Sequence, residues 1–223
     1  MKKLFAVLAM ATLVCGAADP KTVKFDFATQ PEMTSATYPD RRNLEYMEKS
    51  FAIPAIAGQN FSVEFKVNIT RINPYGNIWV GVTNSRKKMQ NAFIRFGRSD
   101  SGSLFHFYSG AGFGTPATAK PFKGLTRQAY TLRIEYNAGS MQIRYQISDA
   151  AGKLIHDTNW VNCRVPLNPD RLAIRVNDNA DLGISVINYN AEKQAIFARS
   201  LIGYEKQTPY IMEADITEAT VVF

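Results

Sequence analysis

The sequence predicts an all-β protein, an antiparallel β-sandwich of two sheets with about twelve short strands and little helix. Apolar and polar residues alternate with a period of two, most clearly from Phe61 to Thr70, as in a strand with one buried and one solvated face. Other segments, such as Ile78 to Val82, are apolar at every position, which is typical of strands covered on both faces or bearing a binding surface. Turn-forming residues recur roughly every ten positions, a spacing that favours a sandwich or barrel.

The strand candidates are alternating or apolar segments separated by turns that are rich in Gly, Pro, Asn and Asp. In chain order they are Val23 to Phe27, Leu44 to Ile53, Phe61 to Thr70, Ile78 to Val82, Ala92 to Phe96, Leu104 to Tyr108, Thr131 to Tyr136, Met141 to Ser148, Leu154 to Val161, Leu172 to Val176, Gly183 to Asn188, Ala195 to Ile202 and Ile211 to Phe223. The short connection Asn137 to Ser140 contains a glycine and predicts a hairpin between its two neighbours.

The first eighteen residues have the pattern of a bacterial-type secretion signal. Lys2 and Lys3 precede the apolar run Leu4 to Val14, which is shorter than the roughly 20 residues that a membrane-spanning helix needs. Small residues at Gly16 to Ala18 fit a signal peptidase site. We therefore expect residues 19–223 to be one exported domain, periplasmic or extracellular. A lipoprotein anchored at Cys15 is the less favoured alternative, because bulky Val14 fits a lipobox poorly.

Charge and cysteine content limit the possible partners. Removing the signal takes away two lysines and no acidic residue, so the formal net charge falls from +7 to +5. Cys163 then has no cysteine partner, and the fold must depend on its core rather than on a disulfide. No later segment is apolar enough to span a membrane, and no nucleic-acid recognition motif is present. A polysaccharide, an oligosaccharide or a protein remains as the expected partner.

The order of the strands resembles that of the concanavalin A-like lectin/glucanase superfamily, which includes laminin-G-like domains. The resemblance rests on the strand series from Phe61 to Tyr108, on Tyr130-Thr-Leu-Arg-Ile-Glu-Tyr136, on the turn Gly152-Lys-Leu-Ile155 and on the closing segment Asp215 to Phe223. It implies a two-sheet jelly roll with one concave sheet, whose last strand returns beside the first. It also implies a superfamily whose members bind glycans, cleave them, or do neither.

A possible catalytic motif lies in the closing segment. Glu213, Asp215 and Glu218 match the E-x-D-x-x-E pattern of laminarinase-like retaining hydrolases, which need two carboxylates about 5–5.5 Å apart. A regular strand would place Glu213 and Asp215 on one face and Glu218 on the other. We therefore expect no catalytic set here, but structural residues paired near Val23 to Phe27. A bulge between Ile216 and Glu218, with both glutamate carboxylates in a solvent-filled groove, would reverse that expectation.

Oxygen-bearing side chains are concentrated between Asn177 and Asp181. Such a cluster could hold calcium, with Asp178 and Asp181 as the candidate ligands. Asn and Asp are also common in turns simply because they cap their own backbone. No calcium-loop spacing and no bidentate glutamate is present, so the sequence predicts neither a metal nor another cofactor.

Aromatic side chains supply the argument for ligand binding, because sugars stack on exposed rings and bond to nearby polar groups. Alternation places Trp79 on the other face of its strand from Ile78 and Val80. In the same way, His106 and Tyr108 lie on the other face of their strand from Phe105 and Phe107. Ordinary core packing is the competing interpretation, notably for Trp79 and Trp160. The predicted ligand-binding residues are Trp79, Tyr75, Arg95, His106, Tyr108 and Phe113, with Asn84 and Arg133 as further polar candidates.

The sequence thus favours an exported, non-catalytic module for carbohydrate binding or surface interaction. Two alternatives stay open. One is a glycoside hydrolase or polysaccharide lyase on the same jelly roll, and the other is a structural subunit of the envelope or of an assembly.

Overall fold

A computed structural model describes residues 19–27, 34–39, 44–71, 77–87, 90–97, 104–109, 120–124, 127–179, 183–190, 195–202 and 210–223. Within these ranges the chain forms fifteen strands and no helix. The strands make two antiparallel sheets, one of nine strands and one of six. The prediction of an all-β sandwich is confirmed.

The strands are numbered in chain order. They are β1 Thr22–Asp26, β2 Thr34–Pro39, β3 Leu44–Ala52, β4 Phe61–Arg71, β5 Asn77–Thr83, β6 Ala92–Phe96, β7 Phe105–Ser109, β8 Ala129–Asn137, β9 Gln142–Asp149, β10 Leu154–Asp157, β11 Val161–Asn162, β12 Arg171–Asn179, β13 Gly183–Asn190, β14 Ala195–Ile202 and β15 Tyr210–Val222.

Each sheet combines strands that are distant in sequence. The nine-stranded sheet has the order β10-β9-β8-β4-β15-β14-β13, with β1 added beside β15 and β11 beside β9. The six-stranded sheet has the order β2-β3-β12-β5-β6-β7. The last strand returns beside the first, with Thr22 opposite Val222 and Asp26 opposite Glu218, as the resemblance implied.

The core lies between the two sheets and is built by alternation. On β4 the apolar positions from Phe61 to Ile69 are buried, while the residues between them are partly or fully exposed. Burying one large apolar side chain contributes about 1.5–3 kcal/mol. Two buried tyrosine hydroxyls have hydrogen bonds, since Tyr145 donates to the Tyr108 carbonyl at 2.7 Å and Tyr136 accepts from the Leu167 amide at 3.2 Å. Cys163 is buried and free, and burial raises its thiol pKa to about 11.

The fifteen strands exceed the expected number for two reasons. No alternating or apolar pattern predicted β2, because its Thr-Ser-Ala-Thr stretch lacks large apolar residues. The segment from Leu154 to Val161 was expected to be one strand, but it is divided into β10 and β11. Thr158 separates them by bonding both the amide and the carbonyl of Tyr145, and Asn159 follows with a positive φ of 58°. The expected hairpin between β8 and β9 is present, with Asn137 opposite Gln142.

None of the described residues lies in a helix long and apolar enough to cross a membrane.

Candidate functional site

The side of the six-stranded sheet that faces away from the core carries a separate cluster of aromatic and cationic side chains. On β5, Ile78, Val80 and Val82 belong to the core, so the intervening Trp79 points to the other side. Trp79 forms a small cluster of its own with Phe93, Tyr108 and Ala173. We call this surface the arginine–aromatic face, made of Glu48, Trp79, Phe93, Arg95, His106, Tyr108, Ala173 and Arg175.

Strand register arranges these residues in two neighbouring rows, because paired residues of antiparallel strands lie side by side on one face. The first row runs across five strands as Glu48, Arg175, Trp79, Arg95 and His106. The second row contains Ser50, Ala173, Gly81, Phe93 and Tyr108.

Gly81 gives the second row its close packing. A Cβ atom at this position would lie 2.0 Å from the carbonyl oxygen of Ala92 and 2.8 Å from Cδ1 of Phe93. Real Cβ atoms do not approach other atoms so closely, so only glycine lets the Phe93 ring lie against the strand here. The ring is consequently buried at the centre of the face.

The rings of the face contact one another. The centroid of Trp79 lies 4.5 Å from that of Tyr108 in a tilted arrangement, and 6.1 Å from that of Phe93 in an edge-to-face arrangement. The indole nitrogen of Trp79 donates a hydrogen bond to the side-chain oxygen of Asn77. Trp79 is 4% exposed and Tyr108 8% exposed, so the rings offer little surface to a ligand.

The two arginines of the first row have different surroundings. The guanidinium of Arg175 lies 4.2 Å above the Phe93 ring and forms an ion pair with Glu48, which is itself buried. The positive charge of Arg175 is therefore neutralised within the face.

Arg95 also lies near aromatic rings, but it forms no ion pair with a described residue. Its guanidinium lies 5.6 Å from the centroid of Tyr108 and 6.0 Å from that of Trp79. Its Nε is buried without a hydrogen-bond partner, and no carboxylate of the described residues forms an ion pair with it. Burial lowers the pKa of Arg95, although an arginine stays protonated in proteins.

Four of the predicted ligand-binding residues thus come together on one face, namely Trp79, Arg95, His106 and Tyr108. Tyr75 and Phe113 lie outside the described residues. The inclusion of Arg133 was wrong, since it lies on β8 in the other sheet and forms an ion pair with Glu135 at 2.7 Å.

Sequence reasoning missed four members of the face, namely Glu48, Phe93, Ala173 and Arg175. Phe93 shares strand parity with Arg95, so alternation could have identified it. Glu48 and Arg175 come from segments far apart in the chain, and no local pattern joins them.

The catalytic candidates lie on the opposite side of the molecule, and the expectation of a regular strand was wrong. The register of β15 against β4 shifts between Ile216 and Glu218, so Thr217 is a bulged residue. Its hydroxyl bonds to the Lys66 carbonyl at 3.4 Å, and its own carbonyl accepts from the Phe27 amide at 3.3 Å.

The bulge changes which residues share a face. Ala214 and Ile216 before it, and Ala219 and Val221 after it, are all core residues. Glu213, Asp215 and Glu218 therefore all belong to the outer face of the nine-stranded sheet, the arrangement that a regular strand would forbid.

The surroundings of these carboxylates differ from one another. Glu218 is about half exposed and lies 2.8 Å from the Lys66 ammonium, whose pKa is raised by that hydrogen bond and charge. Asp215 is buried. The expected pairing with the first strand is confirmed for Glu218, which lies opposite Asp26, whereas Glu213 and Asp215 lie beyond the end of β1.

Comparison with solved structures shows which known folds this one is similar to. Lectin II from Ulex europaeus has a TM-score of 0.53 at 8% identity, covering 90% of this chain and 97% of that chain. Winged bean acidic lectin complexed with methyl-α-D-galactose scores 0.51 at 8% identity, covering 91% and 98%. The CBM2 module of an evolved Dit from Lactobacillus casei phage J-1 scores 0.53 at 12% identity, covering 91% and 96%.

The fold is the concanavalin A-like jelly roll. Legume lectins share this architecture, and the match extends over nine-tenths of the chain. No protein-family model and no curated protein sequence matches the chain. The likeness is therefore one of structure, and it leaves the activity of this jelly roll to its own residues.

A second aromatic position lies at the edge of the nine-stranded sheet. Trp160 is 41% exposed and Leu154 47% exposed, the two large apolar side chains most open to solvent among the described residues. Because Val161 points into the core, Trp160 belongs to the outer side. Core packing, the competing interpretation for Trp160, is wrong.

Polar pairs join the neighbouring strands of this edge. Arg144 forms a two-pronged ion pair with Asp157, which lowers the Asp157 pKa to about 2. The side chain of Gln142 donates to Asn162 at 3.2 Å. These groups are already bonded to each other, so this edge is electrostatically balanced.

The calcium candidates differ from the expected loop. Asp178 lies within β12, opposite Glu45 on β3, and Asp181 lies outside the described residues. Within the described part of the jelly roll, no group of three or more His, Cys, Asp or Glu side chains is placed to hold a metal ion.

Proposed function

We propose that this jelly roll is an exported, non-catalytic carbohydrate-binding module whose ligand site is the arginine–aromatic face. One observation carries the proposal: Trp79, Arg95 and His106 stand in one row, with Tyr108 in the next, on a sheet face that the core does not use. The lectins and the CBM2 module among the structural neighbours support a sugar ligand.

The burial of the rings changes how such a site would work. Trp79 and Phe93 are too buried to offer a flat stacking surface, so their role is to hold the polar groups in place. Arg95 is more exposed than its aromatic neighbours and can donate hydrogen bonds from its guanidinium to sugar oxygens. Binding would therefore depend more on directed hydrogen bonds than on stacking.

Residues 19–223 should be tested on a glycan array, with calorimetry on every positive glycan. His106→Ala should weaken binding, and Arg133→Gln, which alters a residue on the other sheet, should leave it unchanged. If no plant, algal or mucin polysaccharide binds, the glycan function fails. A stable oligomer in light scattering without glycan affinity would instead favour an assembly subunit.

Export is part of the proposal and has a separate measurement. If residues 1–18 are a cleaved signal, mass spectrometry of the protein recovered outside the cytoplasm should give an N-terminus at Asp19. A lipid-modified Cys15 would show the alternative anchor.

A polysaccharide lyase is the first alternative, favoured by the placement of Arg95 directly opposite His106 on the neighbouring strand. Elimination needs a cation beside the substrate carboxylate and a base that removes the adjacent C–H proton. The ultraviolet absorbance of unsaturated products from uronate polymers measures this activity. Activity that disappears in His106→Ala would replace the binding proposal with the lyase.

A glycoside hydrolase is the second alternative, favoured by the bulge that places Glu213, Asp215 and Glu218 on one face. Against it, the Glu218 carboxylate is paired with Lys66. A reducing-sugar assay on β-glucans tests this alternative, with Glu213→Gln as the decisive variant. Turnover by the unaltered chain and none by this variant would establish it.

A further inference from the structure

Arg95 and Arg175 occupy the same row of the arginine–aromatic face, with Trp79 on β5 between them. Both guanidiniums lie over aromatic rings. The difference between them is the counter-charge, since Arg175 has Glu48 and Arg95 has no acidic partner among the described residues. The same sheet therefore contains two arginines over aromatic rings, of which Arg175 has an acidic partner and Arg95 has none among the described residues.

The strand register shows that no acidic residue lies next to Arg95 on the described strands of this face. Its two direct cross-strand neighbours are Trp79 and His106. The diagonal and same-strand neighbours within these strands are also non-acidic, and they are Asn77, Gly81, Phe93 and Tyr108. Glu48, which is three strands away from Arg95, is already bonded to Arg175.

A partly buried guanidinium without an acceptor is unfavourable, because it has lost water without gaining a replacement. The buried Nε of Arg95 shows that this loss has occurred. Contact with Trp79 and Tyr108 holds the guanidinium, but ring faces cannot accept the directed hydrogen bonds that its N–H groups offer. An oxyanion from a ligand would supply the missing acceptors.

We propose that Arg95 binds the acidic group of a charged sugar, so that the face selects acidic over neutral glycans. This inference rests on the proposed function. The planar fork of a guanidinium matches an oxyanion through two parallel hydrogen bonds, and the neighbouring rings fix the orientation of that fork. The formal net charge of +5 that remains without Lys2 and Lys3 of the signal draws polyanions towards the protein. A carboxylate of a uronic acid and a sulfate ester both meet this requirement.

The experiment compares charged polymers with neutral polymers of the same backbone. Calorimetry on residues 19–223 should use polygalacturonate against its methyl-esterified form, and dextran sulfate against dextran. We expect at least one charged member to bind about tenfold or more tightly than its neutral partner. The pair that shows the difference tells whether the acidic group is carboxylate or sulfate.

Variants separate a specific contact from general charge attraction. Arg95→Gln should weaken binding of the charged polymer about tenfold or more. Arg95→Lys keeps the charge but not the planar fork, so its affinity should lie between those of the unaltered chain and Arg95→Gln. The matched control is Arg133→Gln, which removes the same charge from the other sheet and should change affinity less than about twofold. Circular dichroism of each variant shows that the fold is retained.

The outcomes distinguish this inference from the function on which it rests. Equal affinity for charged and neutral partners, or equal losses in Arg95→Gln and Arg133→Gln, would overturn the inference and leave carbohydrate binding standing. Absence of binding to every polymer, neutral ones included, would overturn both.

Discussion

The outer faces of the two sheets are built by the same alternation, yet they differ in almost every other respect. The outer face of the six-stranded sheet is aromatic and cationic, and its Trp79 is 4% exposed. The outer face of the nine-stranded sheet carries ion pairs such as Lys66 with Glu218, and its Trp160 is 41% exposed. Strand parity therefore tells which side of a sheet a residue occupies, whereas exposure depends on what surrounds that side.

The largest expected effect is on stability when each tryptophan is replaced in turn. Trp79→Ala should lower the free energy of unfolding by about 3–5 kcal/mol, because it opens a cavity among packed rings. Trp160→Ala should lower it by about 1 kcal/mol or less, because the indole is largely solvated. Urea titrations of both variants measure the difference.

Fluorescence checks the same contrast without a cavity, since these are the two tryptophans of the chain. Acrylamide should quench Trp160 strongly in Trp79→Phe and quench Trp79 weakly in Trp160→Phe. Similar quenching in both variants would remove the distinction between the closed and the open face.

The second prediction concerns close approach on the arginine–aromatic face. Gly81→Ala should cost about 3 kcal/mol of stability, because its Cβ would meet the Ala92 carbonyl and the Phe93 ring. Gly139→Ala, in the β8–β9 turn, is the matched control. Its Cβ would have its nearest contact at 3.5 Å, so stability should stay unchanged or rise slightly. Equal melting temperatures for the two variants would mean that Phe93 does not pack against β5 as described.

The smallest effect is expected at the charged edge and depends on pH. The Asp157 pKa is about 2 in the folded chain and near 4 when unfolded. Its contribution is therefore present above about pH 4 and is lost as the pH falls towards 2. Asp157→Asn should be less stable than the unaltered chain at neutral pH, by at most about 1 kcal/mol, and the gap should close at pH 2. A constant gap across that range of thermal melts would contradict the ion pair with Arg144.

Local pattern was enough for most of the fold and for part of the site. Alternation placed Trp79, His106 and Tyr108 away from the core because each lies on a strand with a clear period of two. The same reasoning failed at Thr217, where an inserted residue changes the parity, and at Thr158, whose bonds to Tyr145 interrupt a strand. The Glu48–Arg175 pair depends on the order of strands within a sheet, and a single sequence does not encode that order in any short segment.

The bulge at Thr217 also determines how β15 tolerates changes in length. The thirteen residues of this strand form two stretches that are out of phase by one position, and Thr217 is the residue that absorbs the offset. Removing it would bring both stretches into a single phase that keeps Ala214, Ile216, Ala219 and Val221 all facing the core. A one-residue deletion at Thr217 should therefore disturb the jelly roll less than deletion of Asp215, which would turn Ala214 or Ile216 towards water. In an alignment, the position of Thr217 would accept gaps as well as changes of residue type.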